Sequence, residues 1–130
     1  MTGTDSYFAR FFAAIDGEDP YSALDLVADE LEFSIIWAAD TGPKSRQFVG
    51  GTKELRDFID AGDRQGWAHY LLSVNRQGSI EIALGETRWD DGTHIGTFIA
   101  AAQLDAAGRM VRYQVSRSPA LRFDASPVAH

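Results

Sequence analysis

Between Trp67 and Arg117 the chain repeats one pattern four times, a strand-like run closed by a turn. Trp67 to Val74 is rich in aromatic and β-branched residues, as strands prefer, and Gly78 punctuates its end. From Ser79 to Asp90 the residues alternate, with Ile80, Ile82 and Leu84 on one side and Glu81, Ala83 and Gly85 on the other. That period of two predicts a sheet with unlike faces. Asp91-Gly92 is a hairpin signal, because a type I′ turn needs positive φ at both central residues. Thr93–Leu104 and Arg109–Arg117 complete the meander, and Pro119 ends it by removing a backbone donor. Close to half of the chain is thereby committed to four antiparallel strands.

The preceding residues predict helices and one strand. Asp5 or Ser6 can cap a first helix whose apolar stripe is Phe8, Phe11, Phe12 and Ile15, with Gly17 as a left-handed stop. Asp19-Pro20 opens a second helix. Leu31–Trp37 alternates as a strand, and Asp40–Gly51 is expected to be a long loop. Thr52 caps a third helix that buries Leu55, Phe58 and Ile59. The order predicts an α+β roll, a cone in which three helices pack on a curved, mainly antiparallel sheet. Residues 1–130 are expected to form a single domain, with 119–130 as a loose or partner-contacting tail. Gly96 and the alanines at 100–102 leave room on the third meander strand, for an apolar cavity or for close packing.

Composition narrows the function classes. A net charge of −7 repels phosphate backbones and argues against nucleic acid as a partner. No run approaches the roughly 20 apolar residues of a membrane span. No basic and apolar leader begins the chain, and it contains no cysteine, so a cytoplasmic location is expected. His69, His94 and His130 lack metal-ligand spacing, and Gly50-Gly-Thr-Lys53 lacks the spacing of a phosphate loop. Neither a metal nor a cofactor is expected.

Three stretches carry a family resemblance: Arg10–Asp19, Phe48–Phe58 and Leu104–Tyr113. In their order and spacing the chain resembles the SnoaL-like branch of the nuclear transport factor 2-like superfamily. Its members include ketosteroid isomerase, scytalone dehydratase, a hexachlorocyclohexane dehydrochlorinase, polyketide cyclases and non-catalytic binding domains. The fold therefore does not fix the function. Asp16 and His69 match the Asp–His dyad of the dehydratase and dehydrochlorinase members. A carboxylate on one imidazole nitrogen fixes the tautomer, and the other nitrogen can then move a proton. The resemblance implies a small cofactor-free lyase, isomerase or cyclase acting on an apolar metabolite, with Asp16 and His69 as catalytic residues. Phe12, Trp37, Phe58, Phe98 and Tyr113 are the candidate substrate-binding residues. The alternative is a non-catalytic ligand-binding or dimerisation module of the same fold, in which Asp16 is a turn residue and His69 a core histidine. The carboxylates and Tyr of a ketosteroid isomerase site are replaced by Phe11, Ile35 and Ala100, which argues against that mechanism. Glu86 and Arg88 share a strand face and are expected to be a solvated pair. His94, just past the Asp91-Gly92 turn, is expected to be exposed. A homodimer is expected through the outer sheet face, with Tyr70, Leu72 and Val74 as its apolar stripe.

Overall fold

The computed structural model describes residues 5–38, 45–61, 66–119 and 121–129. Helix α1 spans Tyr7–Asp16, and a 3₁₀ helix spans Pro20–Leu26. Strands β1 (Val27–Ala38) and β2 (Ser45–Gly50) come next, followed by helix α2 (Thr52–Ala61). The meander is β3 (Trp67–Gln77), β4 (Ile80–Trp89), β5 (His94–Leu104) and β6 (Met110–Ser118). The strands form one six-stranded sheet in the order β2-β1-β6-β5-β4-β3, antiparallel throughout except where β1 pairs with β6. The expected α+β roll is therefore present. Among the described residues, no helix is long and apolar enough to cross a membrane.

Several local expectations are corrected. The 40–51 stretch is not all loop, because Ser45–Gly50 is a strand paired with Phe33–Ala38; residues 39–44 lie outside the described residues. The second helix is 3₁₀, with Pro20 in its first turn. Gly17 is extended rather than left-handed, and its N–H returns to the Ala14 carbonyl at 3.2 Å. Thr52 does not cap α2 with its side chain. Its hydroxyl donates to the Ala28 and Asp29 carbonyls at 3.0 and 3.2 Å, fastening α2 to the start of β1.

Helix α1 is the plug of the cone. Tyr7, Phe8, Phe11, Phe12 and Ile15 are all buried, and Phe8 and Phe11 pack against Tyr113 of β6. Burial pushes the Tyr7 hydroxyl well above the usual tyrosine range, and it donates to the Leu26 carbonyl at 2.7 Å. The helix start is anchored twice. The Ser6 hydroxyl accepts from Ala9 N–H at 3.0 Å, and the fully buried Glu81 accepts from Tyr7 N–H and Phe8 N–H at 3.2 and 2.8 Å. A carboxylate there answers both the unsatisfied amides and the positive end of the helix dipole.

The alternation on β4 has an unexpected sense. Glu81 and Ala83 face the helices, while Ile80 and Ile82 are exposed on the far side. The inner face needs small residues because aromatic rings lie on it. A Cβ on Gly85 would collide with the Phe98 ring and stand 2.7 Å from the Tyr70 carbonyl oxygen. Gly85→Ala is therefore expected to cost about 1–3 kcal/mol, read as a lower urea midpoint with an unchanged slope.

On β3 the register slips between Leu71 and Ser73. This bulge buries Leu72 and turns Val74 onto the core, so the outer stripe expected from Tyr70, Leu72 and Val74 does not exist. The outer apolar residues are instead Ile80, Ile82 and Ile99. The tail is not loose either. Residues 121–129 form a strap over the face of β5 and β4 turned away from α1. Thr97 Oγ1 donates to the Leu121 carbonyl at 2.6 Å, and Val128 N–H and the Ala129 carbonyl bond Leu71 at 2.7 and 2.9 Å.

Candidate active site

Asp16 is the last residue of α1, and His69 is the third residue of β3, the edge strand of the sheet. The two are in contact. Asp16 Oδ1 lies 2.9 Å from His69 Nδ1, and Oδ2 accepts the His69 backbone N–H at 2.7 Å. One carboxylate thus holds one histidine by ring and backbone together. The grip assigns the proton to Nδ1 and the lone pair to Nε2. The side chains of His69 and Asp16 are 11% and 12% exposed, so the pair is nearly buried yet keeps a little access to solvent.

Aromatic rings orient the imidazole. Phe12 stacks on it at 4.3 Å between centroids, Phe98 meets it edge-on at 5.5 Å, and Trp67 is tilted against it at 5.3 Å. The stack follows from spacing, because Phe12 and Asp16 are one helical turn apart on the same face of α1. Tyr113 lies deeper, between Phe8 and Phe11, and is buried with them. Phe58 is half-buried on α2, against the core. Trp37 pairs in register with Arg117 through the backbone, and its side chain lies outside the described residues. The candidate residues thus divide: Phe12 and Phe98 touch His69, while Phe58 and Tyr113 belong to the packing beneath.

Two residues beside His69 were not singled out from sequence. Thr87 of β4 is fully buried and pairs in register with His69. Arg117 of β6 reaches across the concave face to donate to Thr87 Oγ1 at 3.1 Å, and its guanidinium lies 5.6 Å from the Trp67 ring centre. Gly96 lies between them, its absent Cβ directed towards Thr87 Oγ1 and the Ser118 carbonyl. A cation is therefore held on the same aromatic wall as the imidazole. The available signal was parity: Arg117 continues the inward series Tyr113, Val115.

The expected solvated pair is corrected as well. Glu86 is fully buried and bonded to Arg88, with Arg122 Nε and His94 Nε2 at 3.7 and 3.8 Å from its other oxygen. His94 is accordingly not exposed; its side chain is 14% accessible and lies 3.1 Å from Thr97 Oγ1. Asp40 and His130 lie outside the described residues. Among the described residues, no three His, Asp or Glu side chains come together as a metal-ligand set.

No protein-family model matches the sequence, and no curated protein matches it. Solved structures do. A SnoaL-like protein from Agrobacterium tumefaciens, provisionally named an isomerase, superposes with a TM-score of 0.67 at 15% identity, over 86% of this chain and 94% of that one. The chain has the SnoaL-like, nuclear transport factor 2-like fold. A Sinorhizobium meliloti protein, provisionally named a polyketide cyclase, shares this fold at TM-score 0.59 and 13% identity, over 84% of this chain and 92% of that one. A nuclear transport factor 2-like protein of unknown function from Cytophaga hutchinsonii shares it at TM-score 0.60 and 12% identity, over 92% and 93%. At such identities the SnoaL-like fold is what is held in common, and the chemistry rests on this chain's own residues.

Proposed function

We propose that the protein is a small acid–base enzyme of the isomerase or cyclase kind, acting on an apolar small molecule at the mouth of the cone. The supporting observation is the double grip of Asp16 on His69. With Nδ1–H held by the carboxylate, Nε2 takes a proton from an acidic C–H or O–H of the substrate. Asp16 stabilises the imidazolium that forms, and the same nitrogen returns the proton at the end of the isomerisation or ring closure. Half-buried Trp67 offers apolar surface for the substrate, and the buried Phe12 and Phe98 rings back the imidazole. The Arg117 guanidinium stabilises negative charge developing on an enolate or alkoxide oxygen. This chemistry needs no cofactor. The reactions named for the Agrobacterium and Sinorhizobium proteins are of this class.

The test is proton exchange. A panel of cyclic ketones, β-diketones and enones is incubated with the protein in D₂O, and C–H to C–D exchange is followed by NMR. Exchange above buffer that disappears in His69→Ala supports the reading. Exchange that is unchanged in His69→Ala, or absent across the panel, counts against it. A second reading is favoured by one observation. Asp16 Oδ2 accepts the His69 N–H as a neighbouring strand's carbonyl would, so the carboxylate also serves to close the β3 edge in a non-catalytic module.

The outer sheet face is proposed to bind a second copy of the chain. Ile82 and Ile99 are more than half exposed, Leu84 pairs with Ile99, and Ile82 pairs with Ala101, so the patch is contiguous across β4 and β5. Wild-type protein is expected to sediment as a dimer at micromolar concentration and Ile82→Glu as a monomer. A monomeric wild type would refute the dimer.

A further inference from the structure

Among the described residues, the strand that holds His69 has no neighbouring strand on one side. β3 is the last strand of the sheet, and its outward-facing amides must find partners elsewhere. Backbone groups two residues apart on a strand point the same way. The N–H groups of His69 and Leu71 both point off this edge. The first is taken by Asp16 at 2.7 Å, and the second by the Ala129 carbonyl at 2.9 Å. The Leu71 carbonyl accepts from Val128 N–H at 2.7 Å. Two segments distant in sequence, the end of α1 and the strap, therefore finish one edge side by side.

Leu71 is also where the strand is least constrained from its other side, because the register with β4 breaks between Leu71 and Ser73. The strap clamps the chain at that bulge. Its own course is fixed by two contacts on the far face, the Thr97 hydroxyl to the Leu121 carbonyl and Arg122 beside the buried Glu86 carboxylate. Ala129 is itself buried, as part of the same core that holds Phe12 and Phe98.

We propose that the C-terminal strap is a positioning element for the Asp16–His69 pair: by fixing Leu71, it holds the edge of β3 at the place where the carboxylate grips both the backbone and the ring of His69. The strap touches no substrate. The role assumes that His69 is the working group, as proposed above, but its test needs no substrate.

Val128→Pro removes one N–H from an exposed residue and leaves the rest of the chain intact. Val128→Ala keeps that N–H and is the control. NMR reads three protons in the folded full-length protein: the His69 Nδ1–H and the amides of His69 and Leu71. In Val128→Pro all three are expected to exchange with solvent roughly three- to tenfold faster than in wild type, and in Val128→Ala none. A strap that only adds global stability would lower the melting temperature and speed exchange of protected amides across the whole sheet by a common factor, with no excess at His69 and Leu71 over β5 and β6. Faster exchange at Leu71 with unchanged His69 signals overturns the proposal. Ala129→Glu, which puts a charge where Ala129 is buried, provides a second way to detach the strap. Unchanged Leu71 exchange in both variants would overturn the proposal too. Neither result bears on the acid–base reading, which stands or falls with deuterium exchange into a substrate.

Discussion

His69→Ala is expected to lower turnover by about 10²–10⁴-fold while the protein remains folded, because it removes the proton acceptor and leaves the aromatic wall standing. The more informative variant is Asp16→Asn. Asp16 uses both oxygens on His69, Oδ2 for the backbone N–H and Oδ1 for Nδ1. An asparagine has one oxygen and one NH₂ group. If the oxygen keeps the backbone bond, the NH₂ faces Nδ1, which must then carry the lone pair. The ring proton moves to Nε2, and the nitrogen turned away from the carboxylate can no longer act as a base. A loss comparable to that of His69→Ala is expected, with an unchanged circular dichroism spectrum. Near-normal turnover in Asp16→Asn would show that the carboxylate has a purely architectural task.

The largest stability effect is expected at Glu81. The carboxylate is completely buried, accepts from two amides at the start of α1, and has Arg76 Nη1 at 3.8 Å. Truncation to alanine leaves two buried N–H groups without an acceptor and a void beneath the helix. At about 1–3 kcal/mol for each unsatisfied donor, Glu81→Ala should cost roughly 2–6 kcal/mol. Thermal denaturation should show a fall on the order of 10 °C or more. Glu81→Gln keeps one acceptor and the shape, and should lose about half as much. A drop below about 1 kcal/mol in Glu81→Ala would mean that Ser6 alone suffices to start the helix.

The sequence discloses this fold unevenly, for physical reasons. The stripe of α1 and the turns of the meander are local signals. Gly78, Gly92 and Gly108 all have positive φ where the turns were expected, but Asp91 does not, so the expected type I′ turn is instead a three-residue loop, 90–92, closed by Trp89 N–H on the Thr93 carbonyl at 2.9 Å. The Asp16–His69 contact was anticipated through a resemblance rather than through any local pattern, and the two side chains do meet. Which face of β4 looks inward was not, because the isoleucines suggest a core and Glu81 suggests solvent. Only the helix start packed against Glu81 reverses that reading. The bulge after Leu71 has no marker of its own, yet it turns Val74 inward. Strand β2 was hidden because Gly, Pro, Lys and Arg imitate a loop, and its partner Phe33–Ala38 is identifiable only in three dimensions. Arg117 and the strap's bonds to Leu71 join residues far apart in the chain, which no window of sequence reveals.

The parallel contact between β1 and β6 bears on how the chain acquires this shape. The meander is made of neighbours, and its hairpins can zip as soon as each turn exists. β1 has to wait for β6, which lies more than seventy residues further on, because those two strands join the two parts of the sheet. Closing so long an intervening segment is entropically costly before any contact compensates for it. During synthesis on a ribosome, β1 emerges with β2 close behind it but lacks its other neighbour until the final strand is released. The Asp16–His69 contact spans 53 residues and joins α1 to β3, so it can form once β3 has been made, before the β1–β6 pairing closes the sheet.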